Sequence, residues 1–245
     1  MEDKALLSTE VASGAEKAEL LIVIPAYNEA ENIERVVNHL TANFLQYDYV
    51  VVNDGSRDET AAICQRNGYN LLNLPVNLGL AGAFQAGLKY ADKYGYQYAV
   101  QLDGDGQHRP EYLESMIKKM EEGYDIVIGS RFVGEKKPFT MRMLGSNLIE
   151  MAIRFTTGVN IKDPTSGMRM FSKRMIREFA SGLNYGPEPD TVSYLIRQGA
   201  RVAEVPVIMD ERILGVSYLT PVNAMRYMLK MLISILLIQN FRKRR

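Results

Sequence analysis

Residues 98–108 read YAVQLDGDGQH. An apolar run ends in two aspartates, Asp103 and Asp105, each followed by a glycine. A short apolar run bounded by turn residues reads as a buried strand, and Asp-Gly steps turn the chain. The fold depends on whether this unit, a strand ending in a polar loop, recurs with helices between.

It recurs on both sides. LLIVIP (20–25) ends in PAYNE, and a helical pattern covers 29–43. YVVVND (49–54) ends in NDGSRD, with a helix near 58–67. YNLLNL (69–74) ends in NLPVNLG, and small and apolar residues at helical spacing cover 79–94. After 98–103, Pro110 suits the first turn of a helix running to about 122. YDIVIGS (124–130) ends in GSRF. This order implies an α/β fold, a largely parallel sheet with helices on both faces. Such sheets bind ligands at the carboxyl ends of their strands, where all five polar loops fall.

Beyond Ser130 the alternation stops. RFVGEKKPF reads as a loop, 141–157 as a helix and GMRMFS as a short strand, with further helix and strand pieces to Val207. No repeat and no long linker marks a second domain. The expected division is a flexible arm over 1–19, a main domain over 20–219 and a C-terminal helix with a basic tail over 220–245. The arm lacks the basic start and apolar stretch of a signal peptide.

Of the 245 residues, 47% are hydrophobic and 24% charged, ordinary for a globular protein with a substantial core. Basic and acidic residues number 29 each, which argues against a general nucleic-acid binder. The single cysteine, Cys64, cannot close an intrachain disulfide. It lies in TAAICQRNG, a helical pattern that suits a packed small residue better than a reactive thiol.

Three readings of DGDGQH compete. It is a bland Asp-Gly turn, a calcium loop, or a site for a divalent metal bound with a diphosphate. Asp103, Asp105 and Glu114 fall at the first, third and twelfth positions of a calcium loop, but its sixth position needs glycine and is His108 here. Mg2+ and Mn2+ take oxygen ligands, commonly one or two carboxylates completed by phosphate oxygens. Asp103 and Asp105 supply the carboxylates, and Gln107 an amide oxygen. His108 reads as structural support. The other loops fit the third reading: Asp54 can accept from a base N–H, and Tyr27 and Glu29 can hold a ribose or base. Taken singly, each has an equal structural reading, as a turn or helix cap.

PAYNE, VNDGSRDET, NLGLAGAFQAG, LDGDGQHRPE, GSRF, KDPTSGMRMF and EVPVIMDERILGVS occur in the order found in family 2 glycosyltransferases of the GT-A fold. The chain especially resembles the polyprenyl-phosphate sugar synthases, the group of the dolichol-phosphate mannose synthases, over about 20–219. The resemblance implies a GT-A sheet, mixed but mostly parallel, with a nucleotide-sugar donor, Mg2+ or Mn2+, and an inverting transfer. Carried over by position, Pro25, Tyr27, Glu29, Val52 and Asp54 would cradle the nucleoside. Asp103 and Gly104 would touch ribose and phosphate. Asp105 and Gln107, with Asp103, would hold the metal. Arg131 and Arg212 would meet phosphates. Arg142, Ser166 and Arg169 are candidates for the acceptor phosphate, and Asp163 for a base or acceptor-orienting carboxylate.

Two departures stand out. Asn53 replaces the first aspartate of the family's Asp-Asp-Gly-Ser, and Tyr218 stands where a lysine is frequent. Lys136 and Lys137 could replace that lysine. The resemblance also implies a membrane. MLKMLISILLI (228–238) is too short to span one, since a spanning helix needs about 20 apolar residues. On a helix, Arg226, Lys230 and Ser234 form one narrow polar stripe among apolar residues, with a basic end at 242–245. That suits an interfacial helix on the cytoplasmic face of a membrane, binding peripherally. Core packing or contact with a second copy would also explain it, and a small membrane partner protein would suit a chain without a span. The expected reaction moves a sugar from a UDP- or GDP-sugar to a polyprenyl phosphate. Transfer to a growing cell-surface glycan, or nucleotide-sugar binding without catalysis, are the competing readings.

Overall fold

Strand β1 (Leu20–Ala26) is buried along its whole length and pairs in parallel on both sides. Its side chains alternate between two cores, as the two-residue period requires. Leu21 and Val23 face one, and Leu20, Ile22 and Ile24 the other. The computed structural model describes residues 18–135, 137–138, 140–181, 186, 188–210 and 221–240, with backbone only at 141–142, 221–223 and 240. The expectations for the arm over 1–17, for Lys136, Arg212 and Tyr218, and for the basic tail lie outside these residues, as does the side chain of Arg142.

The other strands are β2 (Asp48–Asn53), β3 (Leu71–Asn73), β4 (Tyr98–Gln101), β5 (Ile126–Ser130), β6 (Arg169–Ser172) and β7 (Val202–Pro206). They order as β3-β2-β1-β4-β6-β5-β7. Only β6 runs antiparallel, between β4 and β5. The helices are α1 (Ile33–Asn43), α2 (Thr60–Arg66), α3 (Gly79–Tyr94), α4 (Leu113–Glu121), α5 (Met141–Thr157), α6 (Lys173–Ser181), α7 (Pro189–Arg197) and α8 (Pro221–Leu236). Helices α3 and α5 have the predicted bounds. Helix α1 starts later than predicted because the amides of Asn28, Glu29 and Ala30 bond sideways, to Ser56 and Asp58 of the loop after β2 and to Thr60 at the start of α2. Asn28 turns the chain there with φ +56°, a region asparagine tolerates.

Helix α8 packs on α5 and α7. Gly145 of α5 has no side chain, and a Cβ there would lie 2.8 Å from Met228. Met231 and Ile235 are buried. Ser234 is buried as well, so the predicted polar stripe does not reach solvent as a unit. Its hydroxyl donates to Asp190 Oδ2 of α7 at 2.6 Å. Arg226 and Lys230 remain exposed, among exposed Met225, Leu229 and Ile233. Among the described residues, no helix is long and apolar enough to cross a membrane.

Helix α3 sits close on the sheet because Gly87 faces Val23, where an added Cβ would lie 2.2 Å from Cγ1. Gly87→Ala is expected to cost about 1–3 kcal/mol through overpacking, read as a lower urea midpoint with unchanged slope. An unchanged midpoint would mean that the helix shifts freely.

Candidate active site

From β1 the chain winds outward to β2 and β3, while β4 lies on its other side. The loops after β1 and β4 therefore part at a topological switch point, the crevice where such sheets bind ligands. Here the two loops touch. A Cβ on Gly104 would meet the carbonyl oxygen of Pro25 at 3.1 Å and Glu29 Cγ at 3.5 Å. Pro25, Glu29 and Gly104 are thus brought together, with Tyr27 exposed beside them.

The loop after β2 closes one side. Asp54 is buried, and its Oδ1 accepts from the Leu78 amide at 2.7 Å. Burial raises its pKa, against the lowering effect of the Leu78 and Gly79 amides. Asn53 donates from Nδ2 to Asn73 Oδ1 at 2.6 Å and accepts from the Ser56 amide at 3.3 Å. An ionised aspartate could not donate this first bond, so asparagine suits Asn73 in the orientation seen. Val52 is buried in the core and adds no side chain to the crevice surface.

The loop after β4 is fixed from three sides. Asp103 Oδ1 accepts from Gln101 at 2.8 Å, and the Asp103 amide donates to His108 Nδ1 at 3.0 Å. Asp105 Oδ1 accepts from the Gln107 amide at 3.0 Å. Arg35 of α1 donates to the Asp105 carbonyl at 2.9 Å. Gly106 has φ +79° and lies under that guanidinium, with Nη2 2.8 Å from where a Cβ would be, so only glycine fits without displacement. Gln107 Nε2 donates to the Asp210 carbonyl at 3.1 Å, which leaves Oε1 as its donor atom to a metal. Among the described residues no three acidic, histidine or cysteine groups are placed to hold a metal ion by themselves. Two carboxylates and one amide oxygen do fit Mg2+ or Mn2+ completed by phosphate oxygens.

The far half of the sheet holds an ion pair at the end of β5. Arg131 donates from Nε and Nη2 to the two oxygens of Asp163 at 2.7 and 2.8 Å, and its amide donates to Oδ2 at 3.1 Å. Asp163 is fully buried, and its own amide donates to Glu204 Oε1 at 2.8 Å. Gly167, in the loop that follows, approaches Asp103: a Cβ there would lie 3.2 Å from Oδ2.

Three acceptor-phosphate candidates meet different fates. Ser166 is buried and donates to the Gly129 carbonyl at 2.5 Å, so its hydroxyl builds the loop instead of facing an open pocket. Arg169 is buried too. Burial lowers its pKa, while Tyr227, Glu188, Asp163 and Asp190 act to raise it. It donates to the Pro164 carbonyl at 2.6 Å. Its side chain is buried and does not form part of an exposed surface. Arg142 lies in the first turn of α5. Burial pushes the Cys64 thiol up to about 11, so it carries no reactive thiolate at neutral pH. Arg35, Arg109, Glu204 and Asp210 were not singled out in the sequence. Their partners lie 41 or more residues away, and no local pattern marks such pairs.

The family model of glycosyl transferase family 2 matches residues 21–179, and the chain belongs to this family of glycosyltransferases. Polyprenol monophosphomannose synthase of Mycolicibacterium smegmatis is 31% identical over 223 residues, 86% of this chain and 84% of that protein. Undecaprenyl-phosphate mannosyltransferase of Micrococcus luteus is 31% identical, covering 81% and 86%. UDP-N-acetylglucosamine–dolichyl-phosphate N-acetylglucosaminyltransferase of Methanococcus voltae is 30% identical, covering 77% and 84%. Among solved structures, glucosyl-3-phosphoglycerate synthase from Mycobacterium tuberculosis, in complex with Mn2+, UDP and glucosyl-3-phosphoglycerate, shares the fold. Its TM-score is 0.66 at 20% identity, over 90% of this chain and 79% of that one.

Removing one partner of a buried ion pair strands the other charge, at about 3–5 kcal/mol when both are buried. Arg131 is partly exposed while Asp163 is not. Arg131→Ala should therefore destabilise the chain more than Asp163→Asn, which removes the buried charge itself. Paired urea melts test this, and equal losses would count against it.

Proposed function

We propose that this glycosyltransferase moves one hexose or N-acetylhexosamine from a UDP- or GDP-sugar to a polyprenyl phosphate at a membrane surface. The observation that carries the choice of acceptor is the state of Asp163. The candidate base gives both carboxylate oxygens to Arg131. A sugar hydroxyl as acceptor needs a base to take its proton. A phosphate monoester is already anionic at neutral pH, with a second pKa of about 6, and needs alignment and screening instead. The names of the relatives at 30–31% identity agree, since all three include a polyprenol or a polyprenyl-type phosphate.

In this reading the acceptor oxygen bonds to the anomeric carbon from the face opposite the diphosphate. The bond from that carbon to the donor phosphate oxygen breaks, and the nucleoside diphosphate leaves, so configuration inverts. A divalent cation, when held by Asp103, Asp105 and Gln107, supplies charge to the diphosphate. Asp163 sets the plane of Arg131, whose remaining N–H donors meet phosphate oxygens. Asp54 accepts from a base N–H, and Pro25, Tyr27 and Glu29 border the nucleoside. Arg212 is a further phosphate contact, on the resemblance alone.

Membrane contact is supported by two neighbouring helices. Leu144, Leu148, Met151 and Phe155 recur every three or four residues on α5 and are exposed, Phe155 by 85%. Exposed Leu229 and Ile233 of α8 add to them, with Arg226 and Lys230 able to meet anionic headgroups.

The function is tested by incubating the protein with Mn2+ or Mg2+, labelled UDP- and GDP-sugars and undecaprenyl or dolichyl phosphate. A lipid-extractable sugar phosphate is expected. Label transferred only to free glycans would replace this reading with the glycan-extending one. For the surface, the double change Met151→Glu and Phe155→Glu should weaken binding to phosphatidylglycerol vesicles at least about tenfold, since each buried apolar side chain is worth about 1.5–3 kcal/mol. Transfer to a short-chain soluble prenyl phosphate should persist. Unchanged vesicle binding would remove α5 from the membrane contact.

A further inference from the structure

We infer that Arg109 and Asp210 are a positioning pair that sets the metal affinity of the loop through Gln107. The inference rests on the donor-site reading above and assigns it two residues outside the ligand set.

The geometry is a closed clamp. Residues 107–109 run antiparallel to residues 209–210, with a bridge between His108 and Met209. The Asp210 amide donates to the Gln107 carbonyl at 2.9 Å. In return, the Gln107 side-chain Nε2 donates to the Asp210 carbonyl at 3.1 Å. That second bond decides which end of the amide faces the loop. With Nε2 committed to Asp210, Oε1 is the atom turned away from it. Arg109 then locks the partner segment: its Nε donates to both carboxylate oxygens of Asp210 at 2.9 Å, and its Nη2 also donates to Oδ1. A forked guanidinium–carboxylate contact fixes orientation as well as distance. Arg109 thus holds Asp210, Asp210 holds the Gln107 amide, and neither is among the proposed ligands.

The pair is half-exposed, with side-chain exposures of 41% and 43%. Surface ion pairs contribute little to folding, so its loss should leave the chain folded. Residues that orient metal ligands behave differently, and their loss typically weakens metal binding about 10- to 100-fold. The two roles therefore separate experimentally.

Mn2+ binding to the full chain is measured by electron paramagnetic resonance in the presence of UDP or GDP, beside thermal melts, for Arg109→Ala, Asp210→Asn and the charge-exchanged double variant Arg109→Asp with Asp210→Arg. The single variants should bind Mn2+ about tenfold more weakly with unchanged melting temperature. Their Mn2+ requirement in turnover should rise equally, with kcat at saturating Mn2+ retained. The exchanged pair should recover part of the affinity. Unchanged Mn2+ affinity in both single variants overturns the inference, and so does a weakening matched by loss of folding. Absence of Mn2+ binding by the unaltered chain would instead overturn the donor-site reading, and the clamp with it.

Discussion

Strand β1 has a parallel neighbour on each side and no exposed face. That constraint governs the rest. A strand with neighbours on both sides and a core on each face can present function only at its end. The chain leaves that end with Asn28 in a left-handed turn, and the next amides reach sideways to the loop after β2. On the other side Gly104 meets the Pro25 carbonyl. Both walls of the candidate crevice are thus built against the terminus of one strand, and the switch in winding direction between β1 and β4 opens the space between them.

The strands at the centre of the sheet were legible because they are buried on both faces and read as continuous apolar runs. LLIVIP and YDIVIGS could hardly be anything else. Helices α3 and α5 were legible from small and apolar residues at helical spacing. The start of α1 was not, because the amides of residues 28–30 find partners in a distant loop. The inward turn of Ser234 was also hidden. A serine on an amphipathic pattern looks solvated until Asp190 is placed beneath it.

At the candidate site, the polar loops were legible and the contacts of their side chains less so. Asp103, Asp105 and Gln107 declare themselves by spacing within one loop. Asp163 declared itself as a carboxylate, but its engagement with Arg131, 32 residues away, is a fact of the fold. Ser166 and Arg169 looked like phosphate ligands as letters in a string. Folded, both are buried, and they donate to the carbonyls of Gly129 and Pro164. A polar residue near a site is as often part of its masonry as of its surface.

The bond from Ser234 to Asp190 has a partner farther along the chain. Tyr227 donates to Glu188, and Gln239 reaches Asp190 Oδ2 at 3.3 Å. Three side chains from the C-terminal helix and the turn beyond it thus anchor in two acidic groups at the head of α7. To lift α8 would take Tyr227 from Glu188 and leave Asp190 with the Thr191 amide of its own helix, a cost that rises as the surroundings become less polar. Whatever surface α5 and α8 rest on, they are therefore not a tether with slack. In the proposed reading they act as a footing of fixed height, and the distance from the membrane surface to the candidate crevice becomes a built-in ruler for the acceptor it can reach.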